Sequence, residues 1–420
     1  MRRLTGWLAA IILVGAALYF LILWPLRSPH PPLRLATGAL AVRGRKIYVS
    51  PDQPPLENGT VLMRDGRIVA VGSGVEVPSD AQVISCGGCV VTAGFWNAHV
   101  HFTQPKWMGS AWKPGAVLNQ QLADMLTSRG FTTVVDTGSD PRGTISLRRR
   151  IETGDLSGPK IYTAGAAVYP PHGIPYYLGD LPFFVRWLTP QPESPEAAAR
   201  DVSWIIAAGA DLLKLFTGSY VRRGEVLPMP ESIAMAAAAE AHRHGQLVFI
   251  HPSNLAGTLV AIHSGVDVLA HAPDSTEGID QTLLQQIVDR HMAMVPTLKM
   301  FGSTVTKNPK YLQPIYAEVR QFHALGGQLI FGTDAGYMTD YSTEDEFRAL
   351  QESGLGFEDV LRMLTTNPAD RFGVSKEKGT LAPGKLADVT ILGADPAADI
   401  TAFSRVRYTI RSGRVIFNRN

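Results

Sequence analysis

Six side chains spread over most of the 420-residue chain have the chemistry to hold divalent cations: His99, His101, Lys214, His251, His271 and Asp334. Imidazole and carboxylate are the ligands expected of Zn²⁺ and related ions. A buried lysine can lose its proton and become nucleophilic toward CO₂. Each residue alone says little. A single His is more often a hydrogen-bonded structural residue, an Asp in "GTDAG" can cap a helix, and a Lys among apolar residues can snorkel to the surface. Together they form a pattern, because each ends or interrupts a short β-rich run. His99-Val100-His101 closes the first run, Lys214 sits in the fourth ("DLLKLF"), and His251 and His271 end the fifth and sixth. Asp334 ends the eighth.

Those runs are "GFWNAHVH", "FTTVVDT", "KIYTAGA", "DLLKLF", "QLVFIH", "VDVLAH", "MAMVPTL" and "QLIFGTD", with helical patterns such as "SPEAAARDVSWIIAAGA" between them. Alternating β and α runs predict a parallel sheet, and eight repeats over residues 92–374 fit a closed (β/α)₈ barrel of the TIM type. Active-site groups of such a barrel lie at the carboxyl ends of its strands, and residues i and i+2 of a strand share a face. His99 and His101 are therefore expected to point into the barrel mouth. Residues 35–91 and 375–420 read instead as short strands. "RDGRI" is a hairpin signal, and the two ends are expected to form one small flanking β-sandwich.

Residues 1–34 are of a third kind. Arg2 and Arg3 precede 23 uncharged residues, Leu4 to Leu26, with Trp7 and Trp24 near the two ends. About 20 apolar residues span a bilayer core. The run is longer than the apolar stretch of a cleaved signal peptide, and no small-x-small site follows it closely. The expectation is a transmembrane signal anchor with a Pro-rich spacer, exporting the rest of the chain to a periplasmic or extracytoplasmic location.

With 39 basic and 37 acidic residues the formal net charge is +2, and no basic block stands out, so a nucleic-acid partner is not expected. The 45% apolar content allows a large core. Two cysteines exclude a disulfide scaffold; Cys86 and Cys89, in "CGGC", read as a turn disulfide or two free thiols.

At these residues the chain resembles the amidohydrolase superfamily, near its imidazolonepropionase-like and Xaa-Pro dipeptidase (prolidase) branch. The resemblance runs from Asn58 to Asn418 through "NGTVLMRDGRIVAVG", "TAGFWNAHVHF", "GFTTVVDTGS", "LLKLFTG", "GVDVLAHA", "FGTDAG", "LTTNPADRFGV" and "KGTLAPGKLADVTIL". It implies two divalent metal ions, zinc or manganese. His99, His101 and Asp334 would bind one and His251 and His271 the other, with a carbamate on Lys214 bridging the pair. It further implies attack of a metal-bridging hydroxide on a carbonyl, with Asp334 moving the proton to the leaving amine. Three positions depart from the family pattern: Asn97 replaces an Asp, Ala93 a Pro, and Gly218-Ser219 a Gly-Gly.

His172, in "YPPHGIPYY", is a candidate substrate contact or a loop His bonded to backbone; Tyr220 is a pocket residue or a plain loop Tyr. The aromatic stretch from Val168 to Trp187 reads as a substrate lid, a membrane-resting patch or ordinary packing. His242, His244, His263 and His323 read as structural. The expected activity is hydrolysis of a C–N bond in a dipeptide or acylated amino acid. Cyclic-amide, lactone or phosphotriester hydrolysis is the alternative within enzymes. A non-catalytic, membrane-anchored binding protein is the alternative outside them. A homo-oligomer is compatible with the sequence.

Overall fold

The computed structural model describes residues 33–179 and 189–419. The expected membrane segment, together with Phe183, Phe184 and Trp187, lies outside the described residues. Among the described residues no helix is long and apolar enough to cross a membrane.

The first five strands are β1 (Ala39–Tyr48), β2 (Leu56–Arg64), β3 (Arg67–Gly72), β4 (Gln82–Ser85) and β5 (Val90–Ala93); β16 (Val389–Leu392), β17 (Val406–Arg411) and β18 (Arg414–Asn418) come from the far end of the chain. They form one hydrogen-bonded sheet in the order β18-β17-β16-β5-β1-β2-β3, with β4 on β1. The sheet curls so that Arg67 of β3 bridges to Leu386, ahead of β16. Val42, Ile47, Val61, Met63, Val91, Val389 and Ile391 fill the interior so enclosed. The β2–β3 turn at Asp65-Gly66 has φ of 49° and 77°. Two successive positive φ angles match the twist of a two-residue hairpin, which is why Asp-Gly suits this place. Cys86 and Cys89 are joined by a disulfide in the turn between β4 and β5.

The eight β-rich runs become β6 (Phe95–Val100), β7 (Phe131–Asp136), β8 (Lys160–Thr163), β9 (Leu212–Phe216), β12 (Leu247–His251), β13 (Val268–Leu269), β14 (Ala293–Met294) and β15 (Gln328–Leu329). They pair in parallel, and β6, β7 and β9 are buried at every position because helices cover one face and the barrel core the other. Two seams close the ring. Asp211 N–H donates to Thr163 O at 2.7 Å, and Val168 pairs with the backbone of Lys214 and Phe216. Opposite, Ala98 N–H donates to Phe331 O and Asp334 N–H to His99 O. Small and branched residues from all eight strand regions, from Ala98 to Ile330, plug the interior.

Helix starts are fixed by side-chain caps on the first-turn amides. Asp140, Ser194, Asn254 and Asp280 accept from Gly143, Ala197, Gly257 and Leu283, and Pro141 and Pro195 sit where an amide would be unused anyway. A feature absent from the sequence reading is the hairpin β10 (Gly218–Arg222) and β11 (Glu225–Pro228), inserted after β9. It carries Tyr220.

Candidate metal centre

The six candidate residues come together at the carboxyl ends of the barrel strands. The His99 ring centroid lies 5.2 Å from that of His101 and 4.3 Å from that of His271, and His251 lies 4.5 Å from His271. Asp334 Oδ1 is 3.0 Å from His101 Nε2 and 3.5 Å from His99 Nε2. One ligand atom from each of His99, His271 and Asp334 falls within 4.8 Å of the others. Lys214 is 1% exposed and its amine makes no hydrogen bond. It lies 5.5 Å from the Phe216 ring, which stacks on His251 at 4.7 Å, and its charge reaches His99, His251, His271 and Asp334.

The electrostatics suit a cation site. Burial first, and the Lys214 charge next for His99 and His251, hold three imidazoles well below 6.5, so they are neutral and keep a lone pair. For His271 the neighbouring His99 adds to burial. Burial opposes charge on His101 too, but Asp334 and Asp136 outweigh it and raise its pKa. Burial brings the Lys214 amine down to about 7.

Neighbouring residues settle which ring nitrogen is free. His101 Nδ1 lies 2.7 Å from Gly138 O, which can only accept, so Nδ1 carries a proton, while Nε2 faces Asp334 Oδ1 at 3.0 Å. The Thr297 hydroxyl spends its proton on Pro296 O at 2.8 Å, so it accepts from His271 Nδ1 at 2.6 Å, which leaves the His271 Nε2 lone pair free. His99 has no hydrogen bond at either nitrogen. A buried amine and a buried imidazole left unpaired are costly unless something else satisfies them. Neutral imidazoles, a carboxylate and a buried amine fit the donor set of a metal pair.

Other contacts lock this geometry. Asn97 Nδ2 donates to Thr333 Oγ1 at 2.7 Å, while its Oδ1 accepts from the amides of His99 and Thr333, both at 3.2 Å. The neutral amide thus ties the His99 strand to the residue before Asp334, using donor and acceptor together. Asp136, buried at the end of β7, accepts from Gly138 N–H, Ser139 Oγ and Thr163 Oγ1. It thereby sets the loop whose carbonyl holds His101. Asp334 itself has φ +58°, a strained conformation of the kind that clusters at functional sites. In "FGTDAG" both glycines are required: a Cβ on Gly336 would lie 1.8 Å from His101 O, and one on Gly332 2.3 Å from Val295 Cγ1.

Tyr220 donates to Asp274 Oδ2 at 3.0 Å. His172, at φ +56°, is turned to solvent, its side chain 87% exposed and 3.8 Å from Glu193. Ser219 donates to the Gly173 carbonyl, joining the β10–β11 hairpin to the His172 loop. Within the aromatic stretch, Tyr169 is buried against Phe216, and Tyr177 packs against Tyr337, 5.8 Å between centroids. His242, His244, His263 and His323 each face a carboxylate on helix surfaces, as Asp267, Glu240, Glu231 and Asp359 respectively.

Sequence comparison agrees with this architecture. The amidohydrolase family matches residues 90–416. An imidazolonepropionase of Thermoplasma acidophilum is 22% identical over 405 residues, covering 86% of this chain and 90% of its own. Among solved structures, a Xaa-Pro dipeptidase with bound methionine superposes with a TM-score of 0.76 at 21% identity, over 91% of this chain and all of the other. A putative prolidase from Bifidobacterium longum does so with a TM-score of 0.75 at 24% identity, over 91% and 95%. At such identities the structural likeness speaks for the fold, while the match across most of the chain decides membership: the chain belongs to the amidohydrolase family of hydrolases.

Proposed function

We propose that the protein hydrolyses a C–N bond of a dipeptide or N-acyl amino acid at a two-metal centre formed by His99, His101, Lys214, His251, His271 and Asp334. The observation that carries this reading is Lys214, a fully buried amine without a hydrogen bond, surrounded by three neutral imidazoles and Asp334. With a pKa near 7 much of it is unprotonated at neutral pH, so its lone pair is available to add CO₂ and release a proton, giving a carbamate whose oxygens would serve as metal ligands. His99, His101 and Asp334 would hold one ion and His251 and His271 the other. Such a pair polarises a carbonyl and lowers the pKa of water.

The protein's own groups do the rest. Gly138 and Thr297 keep Nε2 of His101 and His271 aimed inward. Asp334, whose Oδ1 lies against both His99 and His101, accepts the proton of the attacking water and returns it to the departing amine. Tyr220, Tyr177 and the His172 loop flank the substrate. The names of the relatives, imidazolonepropionase and Xaa-Pro dipeptidase, favour an amide carbonyl as the target. The Leu4–Leu26 run and the Cys86–Cys89 disulfide favour an exported, membrane-anchored enzyme.

Purified full-length protein assayed on Xaa-Pro, Xaa-Arg and N-acyl amino acid panels tests the reading, with cyclic amides, lactones and phosphotriesters as controls. Release of free amino acid that is abolished by Asp334→Asn is expected. Turnover of only the controls would move the assignment to the cyclic-amide, lactone or phosphotriester reaction. Substrate binding without any turnover would favour an anchored binding protein.

A further inference from the structure

One carboxylate at the mouth is used neither by the metal ligands nor by the hydrolytic step. Asp274 follows His271 by three residues and is only partly shielded from solvent. Its Oδ2 accepts the phenol protons of Tyr220, at 3.0 Å, and of Tyr311, at 2.8 Å. Tyr220 comes from the hairpin six residues beyond Lys214, and Tyr311 from the helix Pro309–Ala324. Two donors converging on one oxygen fix the carboxylate. Among the described residues no Lys, Arg or His pairs with it.

Two observations tie this group to the substrate space. Asp274 follows the end of β13 that carries His271, and Tyr220 follows the end of β9 that carries Lys214, so both stand at the carboxyl-end rim of the barrel. Glu318, seven residues after Tyr311 and so on the same helix face, is 5% exposed and neither of its oxygens has a hydrogen-bond partner; burial first, and Asp274 next, hold its pKa well above the usual carboxyl range, so it is a neutral acid. A carboxylate without a cation, held by two phenol hydroxyls, repels an anion and attracts an ammonium or guanidinium.

We propose that Asp274, held by Tyr220 and Tyr311, is a subsite for a positively charged group of the substrate, so that cationic substrates are selected over neutral ones. The proposal rests on the C–N hydrolase reading and adds a substrate class to it. The positive group is either a free α-ammonium or a Lys/Arg side chain, and the experiment separates these sources.

Full-length wild type and Asp274→Asn are compared on two matched pairs: Ala-Pro against N-acetyl-Ala-Pro, and Ala-Arg against Ala-citrulline. Both kcat/KM and the affinity of the ketomethylene analogues, measured by calorimetry, are read for each pair. In wild type the cationic member of one pair is favoured about tenfold or more, a difference of about 1.4 kcal/mol. Asp274→Asn brings that ratio close to one, and Asp274→Glu retains it. A preference in the first pair assigns the ammonium, and in the second the side chain. Ratios near one in the wild-type protein for both pairs overturn the proposal without any variant, as does a ratio that Asp274→Asn leaves in place. Charge-selective binding without turnover keeps the subsite and removes the hydrolase reading; turnover without selectivity does the reverse.

Discussion

Two ends of the same barrel treat buried lysines in opposite ways. Where the barrel meets the terminal sheet, Lys378 is buried with Asp388 as its ion-pair partner and Thr133 Oγ1 at 3.3 Å. Nearby, Arg411 pairs with Glu152 at 2.7 Å, and Thr390 and Thr409 donate to the carbonyls of Gly130 and Thr127. At the mouth, Lys214 is at least as deeply buried and makes no hydrogen bond, and neither do the ring nitrogens of His99. Single unpaired atoms occur at the seam too, such as Arg411 Nε, but there the guanidinium keeps its ion pair; an amine with no hydrogen bond at all, beside neutral imidazoles and a carboxylate, suits a ligand from outside the polypeptide. The seam shows what this sequence does with a buried lysine when only folding is at stake.

The contrast breaks most sharply in activity. Asp334→Asn should lower kcat/KM by about 10²–10⁴-fold in a peptidase assay, the usual contribution of a positioned proton carrier. Lys378→Met should leave the chemistry of folded molecules intact; its cost is stability. Removing one member of a buried pair strands the Asp388 charge, worth about 3–5 kcal/mol in urea unfolding. Lys214→Met, in metal-free protein, should be neutral or stabilising in the same measurement, because no partner is left behind. Equal destabilisation by both lysine substitutions would erase the distinction.

A subtler test sits next to the ligands. Asp136→Asn keeps the shape of the β7 end but loses an acceptor for Gly138, Ser139 or Thr163, loosening the carbonyl that orients His101. Metal affinity, read by chelator competition, should fall by about 10–100-fold while unfolding changes little.

The most gradual effect is in pH dependence. In metal-free protein the Lys214 pKa is depressed from 10.5 to about 7, so between these values the unfolded chain binds the extra proton. Stability attributable to this group therefore rises with pH across that window, by at most about 1.4 kcal/mol per pH unit. Below pH 7 both states are protonated, so the slope vanishes and the full cost of burying the charged amine remains. The difference between wild type and Lys214→Met isolates the slope from other groups; parallel curves would contradict it.

Much of this was legible in the sequence because parallel barrel strands are buried on both faces. Short apolar runs ending in His, His or Asp stand out against them, and the carboxyl end of a strand is where a barrel keeps its chemistry. The Asp65-Gly66 hairpin was legible from its turn residues alone. The supporting contacts were not. Asn97 meets Thr333 across 236 residues, and Thr297 serves His271 only because its own proton goes to Pro296. Asp136 ended the second run in plain view, yet its carboxylate acts through backbone of the following loop. Asp274 gave no signal either, since its partners come from an unforeseen hairpin and a helix 37 residues away.

The central claim is that six distant residues hold a pair of cations, and metal content tests it most directly. Full-length protein, reconstituted with zinc or manganese and bicarbonate and then freed of excess metal, should retain two equivalents per chain by elemental analysis, and Lys214→Met should retain fewer. A folded protein that retains no metal, or a Lys214→Met variant that retains as much as wild type, would contradict the account.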